Sequence, residues 1–145
     1  MRPRISPAKQ TEADKAHLAA GDAALIKVGE CITAYRFRAA LDEMMGYART
    51  CNEHFSNRAP WASRKADMDD CAAAIGTCIR AVQYLAVLCY PFMPGASKKI
   101  GAQLNQPAGD VRWAAPDMLG SGHRLGEAAI LFEKLEADSL GAGSR

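Results

Sequence analysis

The segment from Met68 to Cys89 constrains this chain more than any other. Met68, Cys71, Ile75, Cys78, Val82, Leu85 and Cys89 follow one another in steps of 3 and 4. That spacing keeps them on one side of an α-helix, and it excludes a half-buried strand, which alternates every second residue. Asp67 stands where a capping side chain belongs. Asp69 and Asp70 suit the positive end of the helix dipole. The expected helix covers 68–90, and Pro91 ends it.

Two more stripes share this period. Phe37, Leu41, Met44, Ala48, Cys51 and Phe55 predict a helix over 36–57. Pro60 closes it, because the residue before a proline avoids helical geometry. Leu18, Leu25, Val28 and Ile32 predict a helix over 11–32. Thr11 can cap it, with Asp14 near the reciprocal capping position. The turn between these two helices is tight, around Thr33 to Arg36. Pro94 opens a shorter helix through Leu104, as proline does at a first helical position. Residues 129–135 read as a further short ordered stretch, expected helical. No strand period appears. The expected fold is an all-α antiparallel helix bundle over 11–136, with a linker-like 1–10 and a tail at 137–145. The join from Arg58 to Asp67 reads as a loop, longer than packing requires, and such connections often carry function.

Several classes drop out. At 145 residues the chain is too short for a (β/α)8 barrel, which needs roughly 250. A net charge of +2 excludes binding driven by bulk charge, as in histones. The five cysteines (Cys31, Cys51, Cys71, Cys78 and Cys89) are odd in number and form no C-x-x-C pair. Free thiols in a reducing compartment are therefore expected, with neither a disulfide framework nor a zinc site. No uninterrupted apolar run approaches the roughly 20 residues of a membrane span. The basic, Pro-rich start lacks the apolar core of a secretory signal. These readings point to the cytoplasm. His17, His54 and His123 lack partners at metal-ligand spacing. Asp42–Glu43 and Asp69–Asp70 are sequence neighbours on different helix azimuths and read as solvated surface. Phosphate-loop and nucleophile-elbow motifs are absent, so the residues show no active site of their own.

One segment stands out chemically. Arg58-Ala59-Pro60-Trp61-Ala62-Ser63-Arg64-Lys65 carries three cations, no acid and one tryptophan. A flat aromatic beside cations suits single-stranded nucleic acid: a base stacks on the ring and the cations meet phosphates. The same residues also fit a tryptophan packed on the bundle end beside a solvated basic turn.

The wider pattern resembles a known family. Asn52-x-His54-Phe55 followed by Ala59-Pro60-Trp61-x-x-x-Lys65-x-Asp67 is similar to the N-x-Y…A-P-W-x-x-x-K-x-D signature of the anticodon-binding domain of methionyl-tRNA synthetases. Pro91-Phe92-Met93-Pro94, then Lys99-Ile100 and Gln103-Leu104, resemble that family's P-F-M-P…K-I…Q-L segment. Tyr35 to Leu41 and Leu131 to Glu136 resemble its e-F-r-k-A-L and L-F-P-R-I-E stretches. The matches are collinear over roughly residues 11–136.

The resemblance implies an all-α bundle of the class Ia synthetase type and a tRNA partner with a CAU anticodon. It implies that Trp61 stacks on an anticodon base, with Asn52 and Pro60 beside it. Lys65 matches the printed motif; phosphate contact by Arg58 and Arg64 is inferred from charge. His54 departs from the family's tyrosine, and Ser56 stands where an acidic residue is common. The chain opens on what resembles the linker following the family's first helix, Ile5-Ser6-Pro7-Ala8. That helix, with its base-reading Asn and Arg, and the catalytic domain, with its H-I-G-H and K-M-S-K-S motifs, are expected outside this chain. No aminoacylation by the chain alone and no cofactor are expected, since ATP and methionine belong to the catalytic domain. An apolar groove lined by the 36–57 and 68–90 stripes is expected to be uncovered, or filled by a second copy or a catalytic synthetase chain. Neither DNA nor a membrane is expected as a partner. The competing reading is a shortened paralogue that docks on protein and no longer reads tRNA.

Overall fold

The structure, a computed structural model, describes residues 10–106, 111–120 and 122–136. The linker-like stretch up to residue 9, the loop residues 107–110 and the tail 137–145 lie outside the described residues. Five helices follow in order: α1 Glu12–Thr33, α2 Phe37–Arg58, α3 Pro60–Ala66, α4 Met68–Cys89 and α5 Pro94–Gln103. The described residues contain no strand, and the fold is an all-α bundle.

The caps act as their residue types dictate. The Asp14 amide donates to Thr11 Oγ1 at 3.1 Å, and the Thr11 amide donates to Asp14 Oδ2 at 2.9 Å. This reciprocal pair satisfies two amides that the first turn of α1 leaves without helical partners. Asp67 Oδ1 accepts from the amides of Asp69 and Asp70 and starts α4. The turn after α1 puts Tyr35 at φ 58°, and the Arg36 amide closes back on the Cys31 carbonyl.

Helix α4 is the hub, packing against each of the other four helices. Its burial therefore departs from a single stripe. Ala72, Ala73, Ala74, Thr77, Ala81, Tyr84 and Leu88 are buried, whereas Met68 and Val82 of the expected stripe are exposed. Small residues let neighbouring backbones approach from several sides, so burial spreads around the helix beyond the expected stripe. By length and composition α4 could cross a membrane, but most of it is buried inside the bundle. The core joins Leu25, Val28 and Cys31 of α1 to Ala40, Met44 and Tyr47 of α2 and to Tyr84, Val87 and Leu88 of α4. Phe37, Leu41 and Met45 of α2 are exposed, so part of the expected apolar groove is open.

Two expectations change. The Arg58–Asp67 join is not a loop: one residue turns the chain and Pro60 starts a seven-residue helix. Residues 129–135 are not helical either. That segment is strapped across the end of α5. The Gly126 amide donates to the Gln103 carbonyl, and Gln103 Nε2 donates to the Ala129 carbonyl. Ile130, Phe132 and Leu135 remain exposed, so no buried face rewards a helix there.

Gly21 lies where α1 meets α2 and α4. A Cβ there would sit 2.9 Å from both Tyr84 Cγ and Tyr47 Oη. Ala favours helices over Gly by roughly 1 kcal/mol, yet forcing a methyl into a packed crossing costs about 1–3 kcal/mol. Gly21→Ala is therefore expected to lower stability by about 1 kcal/mol in denaturant unfolding. An unchanged or raised midpoint would show that this crossing has room to spare.

Candidate nucleic-acid interface

The site is built on the elbow between α2 and α3. Ala59 takes a left-handed conformation, φ 41° and ψ 58°, and its amide donates to the Phe55 carbonyl. The chain then enters α3 at Pro60, whose ring fixes φ and whose missing N–H costs nothing at a first helical position. Pro60 is buried, so the elbow is anchored.

The next residue, Trp61, is 57% exposed. Its ring meets Phe55 edge to face, with centroids 5.4 Å apart and planes at 67°. Phe55 is exposed as well, and so belongs to this surface and not to the core stripe in which it was expected. An aromatic pair of this geometry holds one ring while leaving its face open. Asn52 is exposed one turn before Phe55 on the same side of α2. Arg64 and Lys65 are exposed one turn after Trp61 on α3, and neither forms an ion pair among the described residues. Trp113 differs sharply: its Nε1 donates to the Leu25 carbonyl at 3.2 Å, and its ring lies over Gly29.

Arg58 is the exception among the expected cations. It is only 13% exposed. Its Nε donates to Asp14 Oδ1 at 2.9 Å, and its Nη2 donates to Asp70 Oδ1 at 2.9 Å. Its charge is spent inside the bundle, so it does not offer a surface contact to phosphate. Asp70, expected as solvated surface, is the other half of that pair. Sequence reasoning missed the arrangement because Asp14, Arg58 and Asp70 lie on three different helices.

A buried histidine pair adjoins the cluster. Asp14 is fully buried, and His54 Nε2 lies 2.9 Å from its Oδ1. A carboxylate only accepts, so His54 carries a proton on Nε2. The His17 ring stacks on His54 with centroids 4.4 Å apart, and on Tyr47 from its other side. Burial pushes the Asp14 carboxyl up, but the Thr11 amide and the Arg58 guanidinium outweigh it and hold the group below its ordinary value. Burial, then the His54 ring, hold His17 below its ordinary 6.5 against the pull of Asp14. Burial likewise raises the Cys51 thiol to about 11 and raises Cys78 and Cys89, which favours the protonated thiol at each.

Residues 6–142 match the family model described as the anticodon binding domain of methionyl tRNA ligase. The chain belongs to this family. It is 36% identical over 110 residues to a methionine–tRNA ligase of Parabacteroides distasonis, covering 75% of this chain and 16% of that protein. It is 31% identical to the Flavobacterium psychrophilum enzyme, covering 93% of this chain and 20% of the relative. The free-state methionyl-tRNA synthetase of Mycobacterium tuberculosis superposes with a TM-score of 0.84 at 26% identity, over 92% of this chain and 28% of that one. The chain thus spans less than a third of the length of these methionyl-tRNA synthetases. His54, where the resemblance led to an expected tyrosine, here serves as a donor to the buried Asp14.

The lowered His17 and Asp14 lead to a testable expectation of acid sensitivity. With His17 lowered, the unfolded chain takes up a proton near the ordinary histidine value that the folded chain refuses, so stability falls as pH drops through that range. Asp14 acts in the same direction at lower pH, since a lowered carboxyl stabilises only while ionised. One such proton is worth at most about 1.4 kcal/mol per pH unit. His17→Phe keeps a stacking ring and removes that titration. Its unfolding free energy should vary less between about pH 7.5 and about pH 5 than the native protein's. Equal slopes would show that His17 does not titrate across unfolding.

Proposed function

We propose that this domain is a tRNA-binding module that reads the CAU anticodon and so serves methionyl-tRNA formation in the cytoplasm. The observation that carries the reading is the exposed Trp61 ring, held by Phe55 near the exposed Asn52 of α2 and the exposed Arg64 and Lys65 of α3. An anticodon loop offers unstacked bases and a bent phosphate chain, and this surface presents a ring with two cations. Trp61 stacks on a base, Asn52 supplies an amide to a base edge, and Lys65 and Arg64 meet phosphates. Pro60 shapes the elbow. Methionine and ATP are handled on a catalytic part of the enzyme, in the same polypeptide or a separate chain. Binding by the module is weak and salt-sensitive, because few phosphates are neutralised.

A second reading has one observation in its favour. Phe37, Leu41 and Met45 form an exposed apolar stripe on α2, well removed along the helix from the elbow. A protein-docking module, bound to a synthetase chain or to a second copy, would use that stripe and would not need Trp61.

One titration separates them. The chain is mixed at low salt with an RNA stem-loop carrying CAU, and with the same loop altered at its first anticodon base. Trp61→Ala should weaken CAU binding by about 1–3 kcal/mol, from roughly fivefold to roughly a hundredfold in Kd. Leu41→Asp should leave it unchanged. Equal binding by native protein and Trp61→Ala, or no binding by either, would overturn the RNA reading.

A further inference from the structure

We propose that Arg58 is a positioning residue: clamped between Asp14 of α1 and Asp70 of α4, it sets the angle of the α2–α3 elbow and thereby the face that Trp61 presents. Its value for RNA recognition rests on the reading of Trp61 given above, but the clamp itself is defined by contacts within the bundle.

Only two residues separate Arg58 from Trp61. Pro60 has a φ locked by its ring. Ala59 is held in a left-handed conformation that a residue with a Cβ rarely adopts and that persists only where its surroundings enforce it. With these two fixed, the direction of Trp61 follows the direction of the last turn of α2. Arg58 is that last residue, and its guanidinium engages two other helices at once. One edge meets Asp14, which is also the reciprocal cap of α1 and the acceptor of His54. Another edge meets Asp70 in the first turn of α4, the helix against which α3 packs. The Arg58 guanidinium, followed by the Ser63 hydroxyl of α3, holds the Asp70 carboxyl below its ordinary value. The start of α1, the end of α2 and the start of α4 therefore meet at one planar cation, and α3 packs against the last of these helices. Arginine suits this place because its fork is rigid and offers several donors in fixed directions, whereas a lysine would offer one mobile point charge.

The test uses protein labelled with fluorotryptophan, in which Trp61 and Trp113 give separate NMR resonances assigned with Trp61→Phe. Removing Arg58 outright risks unfolding, since it strands the buried Asp14 charge. Asp70→Asn is the main variant, because Asp70 is partly exposed and its loss opens only the α4 side of the clamp. The expected result is a shifted or broadened Trp61 resonance, an unmoved Trp113 resonance, and CAU stem-loop binding weakened by about tenfold. Asp70→Glu, which keeps the carboxylate, should return both readouts toward native. Arg58→Lys should disturb the Trp61 resonance while Trp113 stays in place. An unchanged Trp61 resonance in folded Asp70→Asn would overturn the proposal, as would equal disturbance by Asp70→Asn and Asp70→Glu. If the native protein binds no stem-loop, the RNA reading fails by itself, and the resonance still decides whether the clamp aims the tryptophan.

Discussion

The fold depends on one buried negative charge. Asp14 is fully buried, and taking a carboxylate out of water costs several kcal/mol unless donors surround it. Here they come from three places: the Thr11 amide, His54 and Arg58. Each ties a different piece of chain to the same atom group. The start of α1, the last turn of α2 and, through Arg58, the start of α4 must all be in place for the charge to be satisfied. Such a cluster adds little net stability compared with apolar packing, but it penalises any arrangement in which one partner is misplaced.

This division of labour gives the bundle two unlike ends. Away from the elbow, aliphatic and tyrosine side chains fill the space between α1, α2 and α4, and Gly21 marks a close approach of backbone and ring. At the elbow, charge and geometry replace bulk. A left-handed Ala59, a buried Pro60 and a clamped Arg58 hold a short helix whose exposed side carries Trp61, Arg64 and Lys65. Under the proposed function this arrangement would favour binding, because a platform already in position loses little entropy when a base stacks on it.

Much of this was legible in the residues. The long helices begin and end within a residue of the expected bounds, since Thr11, Pro60, Asp67 and Pro91 punctuate them through local chemistry. Trp61 stood out because a tryptophan beside a proline and cations suits base stacking, although those residues alone fitted a ring packed on the bundle end equally well, and the wider motif was needed to single it out. What escaped was non-local. Arg58 read as a surface cation because its partners are 44 and 12 residues away. Phe55 read as core because its period matched the stripe, although the bundle covers only part of α2. The α4 stripe misled for the opposite reason: a helix surrounded by neighbours buries its alanines, and periodicity of large side chains cannot show that. The elbow looked like a loop because Pro60 signals both the end of one helix and the start of another.

The most direct test of the account is a heteronuclear NMR titration of the native chain with the CAU stem-loop, following every backbone amide. The account predicts shift changes concentrated at Asn52, Phe55 and Trp61 to Lys65, with the Phe37–Met45 stripe and the strap at 126–135 unaffected. Changes centred on that stripe, or none at the elbow, would contradict it.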